Sequence, residues 1–197
     1  MARAAEKLWT IEDFLAFDDG TDTRYELIRG RVFAMAPPSE AHGELVSKLT
    51  IAIGSRLRPA CRVVNEAGIL VPGRADTYYQ ADLAVTCAPR REGQIHIAEP
   101  AIIVEVLSPS TAATDLNRKV PDYRTLPSVE GILVVSSTEP RAEHWQRAGD
   151  GWRVHDFRGS GEIGLQSFAI TISVAGLYQD LLPAEPAPGE KAAPPAA

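Results

Sequence analysis

The sequence predicts an α/β or α+β domain whose mixed central β-sheet is flanked by helices. Apolar runs rich in β-branched residues, CRVVNEAGILVPG, YYQADLAVTC, AIIVEVL and EGILVVSS, are bounded by Gly, Pro or charged loops, as buried strands are. Segments before and between them carry apolar residues at three- and four-residue spacing, the mark of helices. Strands and helices do not alternate regularly, so the sheet is expected to be mixed rather than wholly parallel.

Taken in order, WTIEDFLAF has Thr10 followed three residues later by Asp13, a capping-box-like start to a short helix. In YELIRGRVFAM, Tyr25 and Leu27 lead to Gly30, and Val32, Phe33 and Met35 follow it, which predicts a hairpin. After Pro37 and Pro38, Ser39 is placed to cap a longer helix in which Leu45, Leu49, Ala52, Ile53 and Leu57 recur on one face. Beyond the next three strands a second helix is expected over 113–125. Pro121 must sit near its first turn, break it or kink it, because proline cannot donate a helical hydrogen bond. EGILVVSS then reads as a buried strand, AEHWQRAGDGWRVHDFR as a hairpin turning at Gly149 to Gly151, and SFAITISV as a closing strand. From Pro183 the chain runs PAEPAPGEKAAPPAA, too poor in large apolar residues to offset the entropy of ordering. The expected organisation is one domain over 1–182 and a disordered Pro/Ala-rich tail over 183–197.

A chain of 197 residues, 45% hydrophobic and 23% charged, is that of one soluble globular domain, large enough to fold without a disulfide or structural metal. Cys61 and Cys87 have no CxxC spacing and no histidine at zinc-site distance, so they read as reduced thiols of a cytoplasmic protein. No leader-like segment is visible, and no apolar run approaches the ~20 residues that a membrane span requires. The formal charge of −6 argues against coating nucleic acid through a globally positive surface. Arg56, Arg58 and Arg62, and the pair Arg90 and Arg91, read as solvated surface. There is no Walker loop, GxGxxG, GxSxG or HExxH.

Two acids stand out. In AIIVEVL the alternation turns Ile102, Val104 and Val106 one way and Ile103, Glu105 and Leu107 the other, so a carboxylate sits mid-strand in an apolar run. YYQADLAV repeats the anomaly with Asp82. Burying an ionised carboxylate costs several kcal/mol unless something positive compensates it. A divalent metal such as Mg²⁺ answers that cost, and so does an Arg or Lys partner in a structural ion pair; the residues alone leave both open. Glu26 is a further acid with apolar neighbours. Lys119 lies on the helix after the Glu105 strand, from which its ammonium could turn back to the acids and orient a water. His42 reads as a surface or satisfied histidine in the first turn of the long helix. Ser108, Ser110 and Thr111 fit either anion binding at the next helix start or plain capping.

The succession YELIRGRVFAM, PPSEAH opening a helix, QADLAV, IIVEVLSPST, then Asp115, Lys119 and Tyr123 at four-residue steps, resembles the Uma-type family of restriction endonucleases in the PD-(D/E)XK nuclease superfamily. The resemblance spans roughly residues 8 to 180. It implies a restriction-endonuclease-like core and an endonuclease that hydrolyses DNA phosphodiester bonds with Mg²⁺ or Mn²⁺. The alternative it allows is an inactive member serving as a nucleic-acid-binding or interaction module. By the resemblance, Asp82 and Glu105 are metal ligands, Val106 lends its backbone carbonyl, and Glu26 is the N-terminal acid of the site. Leu107 stands where the superfamily usually has a strand lysine, so Lys119 takes that role. DNA is the implied partner, and homodimers are common among enzymes that cut both strands.

Overall fold

Residues 8–109 and 112–181 are described in the computed structural model. The expected tail, and Ser110 and Thr111, lie outside the described residues. The capping box forms: Thr10 Oγ1 accepts from the amide of Asp13, whose carboxylate accepts from the amide of Thr10, and α1 (Ile11–Leu15) begins there. β1 (Tyr25–Ile28) and β2 (Arg31–Ala34) form the expected hairpin. Arg29 and Gly30 make its turn with φ of 53° and 76°, the double left-handed geometry that matches strand twist. Ser39 caps α2 (Glu40–Gly54) by accepting from the amide of His42. Leu45, Leu49 and Ile53 are fully buried along one face of that helix.

The main sheet adds β3 (Arg62–Leu70), β4 (Tyr78–Thr86), β5 (Pro100–Leu107), β6 (Gly131–Ser136), β7 (Arg141–Ala148) and β8 (Gly151–Arg158). Its order is β2-β1-β4-β5-β6-β7-β8, with β3 on the other side of β4. Every pairing is antiparallel except β5 with β6, so the sheet is mixed as expected. On one face Ile102, Val104 and Val106 pack with the α2 leucines. On the other, Ile103 joins Val120 and Tyr123 from the helical segment that follows β5. The alternation read from AIIVEVL therefore holds.

Two expectations need correction, on the closing strand and the cysteines, and the interruption expected at Pro121 takes a specific form. SFAITISV does not close the main sheet: β10 (Ile170–Ser173) pairs with β9 (Glu162–Leu165), and α5 (Val174–Tyr178) follows. Alternation at Ile163, Leu165, Ile170 and Ile172 buries one side of this small sheet against the α2 face. The helix expected over 113–125 is three pieces, α3 (Ala112–Thr114), a π-helical turn over Asp115–Lys119, and α4 (Val120–Tyr123). Pro121 has no N–H for the carbonyl four residues back, and just before it the amide of Val120 reaches five residues back to Asp115. Finally, Cys61 and Cys87 form a disulfide. They flank the cross-strand pair Arg62↔Thr86, so the register of β3 on β4 brings the sulfurs together. The cytoplasmic reading rested on reduced thiols and loses that support. Among the described residues no helix is long and apolar enough to cross a membrane.

The disulfide links residues separated by 26 positions, and closing such a loop stabilises a fold by about 3 kcal/mol. Thiol titration of the unfolded, unreduced protein should find no free cysteine, and Cys61→Ser with Cys87→Ser should lower the urea midpoint. Two titratable thiols would overturn the pairing.

Candidate active site

The site lies at a fork in the sheet. One edge of β4 is paired with β3 except where Asp82 lies opposite Glu66. On the other edge, β1 pairs at Leu27↔Tyr78 and β5 pairs from Leu83↔Val104 onward, so residues 79–82 face a gap between two strands. Backbone amides beside a gap need other acceptors. Oε1 of Glu26 accepts from the amide of Gln80 at 2.8 Å, and Oδ2 of Asp82 accepts from the amide of Val106 at 2.7 Å. Side-chain carboxylates thus complete the ladder where the strands part.

Asp82 also marks a slip in the side-chain alternation. Leu83 and Val85 belong to the α2-side cluster, whereas Tyr79 and Ala81 belong to the opposite one. Across β3, Asp82 faces Glu66, which has a left-handed φ of 52° and lies between the pairs Asn65↔Leu83 and Ala67↔Ala81. The distortion leaves Asp82 within reach of both layers. From α2, His42 Nε2 comes to 3.3 Å of Asp82 Oδ1.

Glu105, only 2% exposed, faces the π-helical turn and α4. Tyr123 donates its hydroxyl to Glu105 Oε1 at 2.6 Å, and Lys119 Nζ stands 3.5 Å from each carboxylate oxygen. The same ammonium lies 2.8 Å from Glu26 Oε1 and 3.2 Å from Asp115 Oδ1. One buried lysine therefore joins β1, β5 and its own helical turn.

Burial opposes the charge on Lys119, but the carboxylates of Glu105, Glu26 and Asp115 outweigh it and hold the ammonium pKa well above its ordinary value. For Glu105, burial dominates and lifts the carboxyl well above the usual range; Lys119 pulls it back in part, and the neighbouring acids push it further up. The His42 pKa is raised, chiefly by its hydrogen bond to Asp82, with burial opposing. Its Nδ1 is buried and has no hydrogen-bond partner among the described residues.

Of the residues expected in the site, Glu26, Glu105 and Lys119 meet directly, and Asp82 lies beside them through Val106. Val106 meets Asp82 through its amide. Ser108 lines the same cleft, an opening of about 640 Å³ that also exposes Asp82, His42 and Arg118. His42 was not foreseen as a site residue, because nothing near it in sequence announces Asp82. Asp115 and Tyr123 entered only as spacing around Lys119; that four-residue spacing is the signal that places all three on one side of the segment.

The Uma2 family profile, described as "Putative restriction endonuclease", matches residues 11–175. Two uncharacterised Synechocystis sp. proteins are similar over most of their length. One, slr1290, is 28% identical over 173 residues, covering 86% of this chain and 91% of the relative. The other, sll1609, is 27% identical over 157 residues, covering 76% of this chain and 87% of the relative. An Anabaena variabilis protein whose crystal structure is described as "a putative nuclease" superposes with a TM-score of 0.72 at 20% identity, over 88% of this chain and 99% of that one. At that identity the likeness shows the fold.

Removing the ammonium leaves buried carboxylates uncompensated. Lys119→Met is expected to lose about 3–5 kcal/mol in urea unfolding, and more at pH 8 than at pH 5. The Glu105 carboxyl, whose folded pKa is raised, stabilises while protonated, and that contribution is lost as pH rises through the folded value. An equal loss at both pH values would contradict the charge balance. For His42, whose folded pKa is raised, the contribution is full below the unfolded value and disappears as pH rises through the folded one. An NMR titration should place its midpoint above the ordinary 6.5 and bring it down in Asp82→Asn.

Proposed function

Because the chain belongs to the Uma2 family, we propose that it is a divalent-metal-dependent endonuclease hydrolysing DNA phosphodiester bonds at the fork between β1, β4 and β5. The observation that carries this reading is Lys119, a 4% exposed ammonium among Glu26, Glu105 and Asp115 on the wall of an open cleft beside Asp82. An apolar cluster of similar volume would stabilise a fold at least as well as such a charge network. Concentrating it at a cleft is the arrangement of sites that act on charge.

The donor set fits a hard cation. Asp82 and Glu105 offer carboxylate oxygens from adjacent strands, and Asp82 is open to the cleft, its side chain 18% exposed. Among the described residues no group of three or more His, Cys, Asp or Glu is arranged to hold a metal ion, and Mg²⁺ needs none, since it takes one or two carboxylates and keeps several waters. Asp82 and Glu105 would be its protein ligands, and Mg²⁺ or Mn²⁺ would supply positive charge to the scissile phosphate.

The chain's own groups do the rest. Lys119, kept protonated, cannot serve as a base; it donates, and so orients the oxygen of an attacking water. Its contacts to Glu105, at 3.5 Å, are the longest it makes and the ones a water displaces most readily. Glu26 and Asp115 hold the ammonium in place. Tyr123 fixes the Glu105 carboxylate through its 2.6 Å hydrogen bond, and Val106 does the same for Asp82 through its amide.

Plasmid and short duplex DNA should be cleaved by the wild type in Mg²⁺ or Mn²⁺, and cleavage should stop in EDTA. Asp82→Asn and Lys119→Gln should each lower the rate by at least 100-fold, since removing one charge-stabilising group costs on that order. Equal cleavage by Asp82→Asn and wild type would sink the proposal. Absence of any cleavage together with no calorimetric Mn²⁺ binding would favour an inactive, interaction-only member.

A further inference from the structure

We propose that Phe33 forms a subsite that stacks one unpaired nucleobase of the substrate strand, with Arg118 meeting a neighbouring phosphate. The proposal rests on the nuclease reading above and adds what the site takes in: a nucleotide splayed out of a duplex or belonging to a single strand.

The register brings the parts together. Phe33 is the direct cross-strand partner of Glu26, so the two side chains rise from the same face of the hairpin with Cβ atoms about 5 Å apart. Glu26 is bound to Lys119, at the centre of the acids. Phe33 therefore stands one strand outward from the proposed chemistry, and among the described residues no strand lies beyond β2 in the sheet. Phe33 is 44% exposed, although an edge-strand position with this pattern is ordinarily given to a polar residue. The chain after it continues the apolar wall through Met35, Pro37 and Pro38, all lining the same cleft.

The remaining lining suits a nucleotide better than an apolar partner. Arg118 is exposed on the cleft and makes no ion pair among the described residues, whereas Arg24 on the same cleft is paired with Glu66. Gln80 and Asn65 add amide groups able to meet a base edge. An opening of about 640 Å³ falls in the range of small-ligand sites and has room for a nucleotide or two. Aromatic faces accept any base, so the subsite selects strand state rather than sequence.

The test measures binding of a short fluorescein-labelled single strand, and of the same strand with one central abasic site, by anisotropy in Ca²⁺. Wild type should bind the complete strand more tightly than the abasic one. Phe33→Ala should weaken binding of the complete strand by roughly 5- to 100-fold and erase the preference, Phe33→Leu should behave like alanine, and Phe33→Trp should restore both. Melting curves matching the wild type establish that the variants fold. If Phe33→Ala binds both strands as the wild type does while plasmid cleavage persists, the subsite is wrong and the nuclease reading stands. If the wild type neither binds nor cleaves nucleic acid, both are wrong. If Phe33→Ala instead converts a dimer to a monomer in sedimentation, the ring is covered by a second copy and the subsite is overturned.

Discussion

The constraint on which the rest of the structure depends is the incomplete ladder along one edge of β4. Two strands share that edge, and neither covers the stretch between them. Exposed backbone donors in a sheet interior are untenable, so the gap must be closed by water, by a ligand or by side chains. Here Glu26 and Asp82 close it. A carboxylate that accepts from a backbone amide is anchored in position and orientation, and it still has lone pairs pointing into the opening. The fork therefore creates both the space of the cleft and the fixed acids around it.

Anchored acids bring their own difficulty, because several negative groups then meet where water is scarce. Lys119 resolves most of it. The ammonium comes from a segment whose hydrogen bonding widens by one residue ahead of Pro121, and Asp115 on the same segment shares it. Tyr123 in turn closes one Glu105 oxygen and packs edge-on against Tyr79. Tyr79 donates to Asp122, which also pairs with Arg29 at the turn of the first hairpin. The helical segment is thereby tied to β1, β4 and β5 through polar contacts as well as through the apolar cluster beneath it. The chemistry and the stability of this face draw on the same residues.

Much of this was legible in the residues. A carboxylate inside an apolar run is a local anomaly, visible without any knowledge of partners, and it picked out Glu105 and Asp82. The facing of the β5 side chains followed from strand alternation alone. Lys119 needed more: spacing placed it on a helix after β5, from which it could turn back and orient a water, and the family resemblance matched it to the lysine of the site. What escaped depended on pairings between distant segments. The disulfide requires knowing that Cys61 and Cys87 flank the pair Arg62↔Thr86. His42 looks like any histidine in a first helical turn until α2 is laid over β4. Likewise, Ile170 and Ile172 announce one buried face, but whether that face belongs to the main sheet or to a separate pair is decided by tertiary packing.

The widened turn ahead of Pro121 makes the length of that segment as important as its composition. In a regular helix each residue advances the chain by 100°, so deleting one residue of the helical segment between Asp115 and Lys119 would swing the ammonium about a quarter of the way around the axis. Side chains can be exchanged there for others of similar size and charge, whereas the count of residues cannot change without carrying the lysine off the acids. The stretch behaves as a ruler, and proteins built on this plan should vary in its letters while keeping its number.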